Sequence, residues 1–140
     1  MSTTITIEVD GLPPPELRGN GRRRTHWAQQ RRIAEDWLWL VRQGLEPWWG
    51  HLPQQPWPVA EAEVVFVVPD HKRRDEDNWT IALKELWDYL CPPTPQRHGI
   101  GLIKDDSAEC LTVNISFEVD KERAPRTIIT LTRKEDLHGD

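Results

Sequence analysis

The apolar residues of this chain switch period repeatedly along its length, and that alternation limits the folds open to it more than any single motif. Residues 4–9 carry Ile5, Ile7 and Val9 at every second position, the pattern of a strand with one buried face. Over residues 27–45, Ile33, Ala34, Trp37, Leu38, Val41 and Leu45 recur at three and four, which predicts an amphipathic helix with Thr25 as N-cap and Gly44 near its end. Residues 62–68 form a Val- and Phe-rich run that reads as a buried strand and stops at Pro69-Asp70. Helical spacing returns through Trp79, Ala82, Leu83, Leu86, Trp87 and Leu90 until Cys91-Pro92-Pro93 ends it. This second helix starts at an acidic cluster, with Asp77 or Asn78 as its cap. Residues 111–119 alternate again, and so do residues 127–131 after a turn at 120–125, which predicts that these two strands form a hairpin.

The segments between are rich in Pro and Gly. Residues 12–21, with Pro13, Pro14 and Pro15, read as an extended basic loop, and residues 48–58 as a connecting loop. Residues 91–98 form a Pro-rich loop, residues 99–103 a short apolar piece, and Lys104-Asp105-Asp106-Ser107 a polar corner. The charged tail from Thr132 is expected to fray. No repeat and no linker interrupts the 140 residues, close to the usual size of one domain. The order of elements predicts one α/β (α+β) domain: a mixed β-sheet of about four strands with two main helices packed on it.

Several classes are excluded early. No apolar run approaches the roughly 18 residues of a membrane span, and residues 1–10 lack the form of an export signal, so a cytoplasmic protein is expected. Cys91 and Cys110 are too few for a disulfide scaffold and have no partners at zinc-finger spacing. Nor do the histidines show ligand spacing. The net charge of -5 hides an asymmetry, because residues 1–32 hold six Arg and three acids. Arg18, Arg22, Arg23, Arg24, Arg31 and Arg32 fall in a stretch free of acids, the form a phosphate-binding patch takes.

The acids concentrate at two corners. Asp75 and Asp77 stand two apart, and in an extended segment both side chains would leave the same side, ready to share an ion ahead of the helix. Asp105 and Asp106 sit at a second break, where adjacent side chains diverge and only one can point into such a site. Magnesium keeps several waters and needs few carboxylates, so three from two corners suffice. Lys84 and Asp88 follow Asp77 by seven and eleven residues, on one face of a continuous helix, with Lys84 about 10 Å along the axis. Taken singly, Lys84 and Asp88 are better read as a surface pair, and each aspartate as a helix cap. The ordered combination is what carries a functional signal: Lys72-Arg73-Arg74, then Asp-x-Asp-Asn, then Lys-x-x-x-Asp, then Asp-Asp-Ser before a long strand.

These residues resemble the RusA family of Holliday junction resolvases. Asp75-Glu76-Asp77-Asn78, Lys84 to Leu90 and Asp105-Asp106-Ser107 match its central pattern, and the segment from Pro13-Pro14-Pro15 through Asn20 to Trp27 matches its N-terminal one. The resemblance implies that Asp75, Asp77 and Asp106 are the metal-binding catalytic acids and that Lys84 assists catalysis. It further implies Mg²⁺, or Mn²⁺ in its place, as cofactor, a homodimer as the working form, and branched DNA as substrate, with no membrane or nucleotide cofactor involved. Three departures stand out: about three extra residues before Lys84, roughly one helical turn, a longer Pro-rich loop, and the negative net charge. The chemistry expected is hydrolysis of a phosphodiester by water, with paired symmetric nicks resolving a four-way junction in DNA recombination and repair. Arg22, Arg23, Arg24, Lys72, Arg73 and Arg74 are the expected DNA-backbone contacts. Trp27 and Trp79 are candidates for stacking on bases, and Trp37 and Trp87 for the core. The alternatives are a non-catalytic DNA-binding or assembly protein that uses its acids as caps, and a nuclease acting on flaps or forks.

Overall fold

The computed structural model describes residues 3–134. Four strands, β1 (Thr4–Asp10), β2 (Ala60–Val68), β3 (Leu111–Val119) and β4 (Arg126–Arg133), form one mixed sheet in the order β1-β4-β2-β3. β4 runs antiparallel to both β1 and β2, while β2 and β3 are parallel, Ala60 opposite Leu111 and Val68 opposite Val119. The expected α+β domain with a four-stranded mixed sheet is therefore what the chain adopts. One face of the sheet carries Ile5, Ile7, Val9, Ala62, Val64, Phe66, Ile129 and Leu131, which share a core with Trp37, Val41, Leu86 and Leu90 from the helices.

The hairpin expected of the last two strands does not form. β4 inserts between β1 and β2, because its Thr127, Ile129 and Leu131 are fully buried and need neighbours on both sides. β3 is left at the edge, its Val113, Ile115, Phe117 and Val119 only half-buried. The link between them crosses the end of β2, where the Asp120 N–H donates to the Val68 carbonyl at 2.9 Å. β4 also extends through Thr132 to Arg133, so that part of the tail is paired; residues 135–140 lie outside those described.

Two helices differ from expectation. The stretch read as a loop at residues 12–21 contains a 3₁₀ turn, Pro15–Leu17, and the start of α1 (Gly19–Arg24). Pro15 at the first position of the turn supplies φ without needing its missing N–H. A Cβ on Gly21 would lie 1.9 Å from the Pro15 carbonyl oxygen, so only glycine allows the turn to pack on α1. α2 (Trp27–Gly44) is capped by His26, whose Nδ1 accepts from the Ala28 N–H at 3.2 Å, and not by Thr25. Thr25 instead donates its hydroxyl to the Gly21 carbonyl at 2.7 Å and closes α1.

The second long helix is two short ones, α3 (Glu76–Ile81) and α4 (Lys84–Leu90), broken at Ala82-Leu83. Both residues of the break are fully buried, and the Leu83 N–H donates three residues back, to Thr80, at 3.2 Å. The chain tightens there so that Leu83 and Leu86 both enter the core. Among the described residues no helix is long and apolar enough to cross a membrane.

Candidate functional site

The sequence separates its two basic segments by some fifty residues, and the fold brings parts of them to one groove. Lys72, Arg73 and Arg74 follow β2, α1 packs against α3, and together with Pro15, Arg18, Asn20, Asp75, Asn78 and Trp79 they line a cavity of about 440 Å³. Trp79 is its floor: only 5% exposed, it meets the Phe66 ring at 4.8 Å and Phe117 edge-on at 5.3 Å. The Arg18 guanidinium lies 4.0 Å above the indole and donates through Nε and Nη2 to the Pro13 carbonyl, at 3.2 and 3.0 Å. Burial, and then the facing charge of Arg74, lower the proton affinity of Arg18. Two guanidinium groups thus face each other in the groove, with Arg74 paired to Asp70 and Asp75 on the same lining.

Individual members of the basic set have different roles. Arg74 donates to the Asp70 carboxylate at 2.7 Å and to the carbonyls of Asp70 and Lys72, so it stiffens the loop after β2. That contact, followed by the Lys72 N–H, holds the Asp70 carboxyl below its usual range. Lys72 and Arg73 are exposed at the groove wall. Arg22 is half-buried and paired with Glu85 of α4, while its Nε donates to the Leu17 carbonyl at 3.1 Å. It ties α1 to α4 and is occupied by structure, whereas Arg23 and Arg24 are exposed.

At the acidic corner beside the groove, Asp75 is the N-cap of α3, and its Oδ1 accepts from the Asp77 N–H at 3.0 Å. Asp77 already belongs to the first helical turn, so the extended geometry expected for this pair is not adopted. An aspartate with its acceptor over the free N–H groups of a helix start is a favoured cap, so Asp75 caps the helix in place of the expected Asp77 or Asn78, and its first residue, Glu76, comes two residues before the earliest start those caps allow. Both carboxylates are exposed.

The second acidic corner lies at the other end of the sheet. Asp105 and Asp106 precede β3, near Trp57, which bridges to Ile103 ahead of β2, whereas Asp75 and Asp77 follow the far end of β2. β2 and β3 are parallel over nine residues, so the two ends stand roughly 26 Å apart. Asp105 accepts hydrogen bonds from the Asp106 N–H and from Ser107, which hold its carboxyl below the usual range. Burial, with Asp106 the largest charge contribution, pushes the Cys91 thiol up to about 11. One chain therefore does not bring Asp106 to Asp75 and Asp77, and among the described residues no three His, Cys, Asp or Glu gather closely enough to hold a metal ion. The three-carboxylate magnesium site does not fit within a single chain.

Lys84 opens α4 beyond the break and is exposed, and the continuous helical face expected to join it to Asp77 is interrupted. Asp88 pairs with Arg97 of the Pro-rich loop at 2.8 Å, not with Lys84. Of the two candidate stacking residues, Trp79 is buried and Trp27 is 69% exposed; Trp37 and Trp87 are in the core. Asn20 and Asn78 are groove residues that the sequence did not single out for binding, and Arg18, placed in the basic patch, was not among the expected DNA-backbone contacts. Arg18 heads the acid-free arginine stretch, and that was the one signal available for it. No family model matches the chain, and no curated protein matches it either.

Proposed function

We propose that the chain is a Mg²⁺-dependent, structure-selective endodeoxyribonuclease of the RusA type that resolves four-way DNA junctions as a homodimer. The observation that carries this reading is the groove: two basic segments distant in sequence converge on one anion-attracting surface, with Asp75 on its wall and Asp77 beside it. Lys72, Arg73, Arg23 and Arg24 would hold phosphates, while Arg18 and Arg74 keep the groove positive. Bound Mg²⁺ would supply Lewis acidity and an activated water. Asp77, Asp75 and Asp106 are assigned to orient that water and its ion, and Lys84 to meet charge developing on the phosphate.

A dimer would reconcile the separation of the acidic corners with a shared three-carboxylate site. β3 is an edge strand, and Glu118 is its only ionisable residue. Antiparallel pairing of β3 with a second copy, centred on Ile115, would set Leu111 against Val119, Val113 against Phe117, and Glu118 against Thr112, with no like charges opposed. The same operation carries Asp106 of one copy to the end of the sheet where Asp75 and Asp77 of the other stand. Two sites related by a two-fold axis match the symmetry of a junction that needs two nicks.

The capping role of Asp75 favours a second reading, a DNA-binding protein without cleavage. Incubation with a synthetic four-way junction, a flap and linear duplex, in Mg²⁺ or EDTA, separates the two. Nicking of the junction in Mg²⁺ alone supports the resolvase; a flap preference moves the substrate, and binding without nicking leaves the non-catalytic protein.

A further inference from the structure

We propose that Trp27 is a DNA base-stacking residue, placed to receive an unpaired base from a strand that leaves the basic groove. This rests on the DNA-binding reading above and adds to it a residue outside both the groove and the acidic corners.

Trp27 is the first residue of α2 and, at 69% exposure, the most exposed large apolar side chain among the described residues. A wide indole held in water is costly unless something covers it. The backbone beneath it is fixed from several directions. His26 caps α2 with its ring 5.6 Å from the indole, Thr25 closes α1, and the Gln30 side chain donates to the Arg22 carbonyl at 3.3 Å. The Arg22 pair with Glu85 anchors the same elbow to α4. The indole is therefore presented by a braced corner between two helices.

The surroundings select the occupant. Arg23 and Arg24 end α1 immediately before the elbow, Arg31 lies one turn along α2 on the face of Trp27, and Arg32 follows it, all exposed. Between Glu16 and Glu35 there is no acidic residue; Glu35 itself makes an exposed pair with Arg31 at 3.7 Å. Its neighbours in the chain, Thr25, His26, Ala28, Gln29 and Gln30, include no second large apolar side chain. A single π-face ringed by cations suits a base flanked by phosphates better than an apolar protein surface or a lipid layer. Asn20 and Gly21 of α1 line the groove, and the six residues of α1 span about 9 Å, roughly three base steps along a strand. A strand held in the groove thus reaches Trp27 within a few nucleotides of the acidic corner, where unpaired bases of a branch would lie.

The test compares the wild-type chain, Trp27→Phe and Trp27→Ala for affinity, in EDTA at fixed salt, toward a four-way junction, an oligothymidylate and a linear duplex, with circular dichroism to confirm folding. Trp27→Ala should weaken junction and oligothymidylate binding by roughly 5- to 150-fold, leaving the duplex unchanged. Trp27→Phe should recover most of the loss, and the salt dependence should stay the same because no charge is removed. Equal affinity of wild type and Trp27→Ala for the junction and the oligothymidylate would overturn the proposal, as would an equal loss on all three ligands. If the wild type shows no junction preference but Trp27→Ala still loses the oligothymidylate, the junction reading falls and the stacking role stands.

Discussion

Arg22, Arg23 and Arg24 form one run in the sequence, yet the fold assigns them opposite consequences when they are removed. Arg22 and Glu85 are 23% and 19% exposed in their side chains, between a surface pair worth under about 1 kcal/mol and a buried pair whose breakage costs about 3–5 kcal/mol. Arg22→Ala also leaves the Leu17 carbonyl without its donor at 3.1 Å. A loss of about 2 kcal/mol is expected, or roughly 6 °C in melting temperature for a chain of this size. Junction affinity, measured on folded protein, should change little. Arg23→Ala combined with Arg24→Ala should do the reverse: melting within about 1 °C of wild type, with the log-log salt slope of DNA binding reduced by about 1.8, for two phosphates lost. Thermal melts by circular dichroism and a salt titration of binding by fluorescence anisotropy read the two effects separately. If Arg22→Ala melts like wild type and flattens the salt slope, the ion pair is not made in solution and Arg22 belongs with the phosphate contacts.

Other substitutions test other parts of the structure. Asp77→Asn should abolish nicking while preserving junction affinity, since it removes a ligand charge without changing size; nicking near the wild-type rate would remove Asp77 from the site. Gly21→Ala should lower the melting temperature by several degrees, at least about 1–2 kcal/mol, because the new methyl would meet backbone at Pro15 that has no room to retreat. Cys91 is 1% exposed with its thiol pushed up to about 11, so a thiol reagent at pH 8 should label Cys110 in the native protein and Cys91 only after denaturation. Because the unfolded thiol ionises first, near its ordinary value of 9.0, Cys91 should also make stability fall between about pH 9 and 11; a flat profile there would contradict its burial.

Strands were legible wherever period two met a buried face, as at Ile5, Ile7 and Val9, because alternation reports burial directly. Pairing was not, since β3 and β4 show the same alternation and only the competition for the centre of the sheet, won by Ile129 and Leu131, separates them. Helical spacing from Trp79 to Leu90 runs through the break at Ala82-Leu83, because a tightened turn keeps apolar residues on the inner side. At the site, the acids and arginines stood out as residue types. Their distribution into groove, cap and structural ion pair depends on which helix packs on which, and no local pattern records that α1 meets α3 or that Arg22 reaches Glu85.

The joining of the two acidic corners across a pair of chains is tested most directly by complementation. Asp77→Asn and Asp106→Asn should each be inactive alone in Mg²⁺. When the two are mixed and allowed to exchange subunits, half the dimers should be mixed, each with one site wholly intact, so nicking of one strand should return with about a quarter of the wild-type number of sites. A mixture that stays inactive, although both variants bind the junction and the wild type cleaves it, would contradict a site shared between two copies.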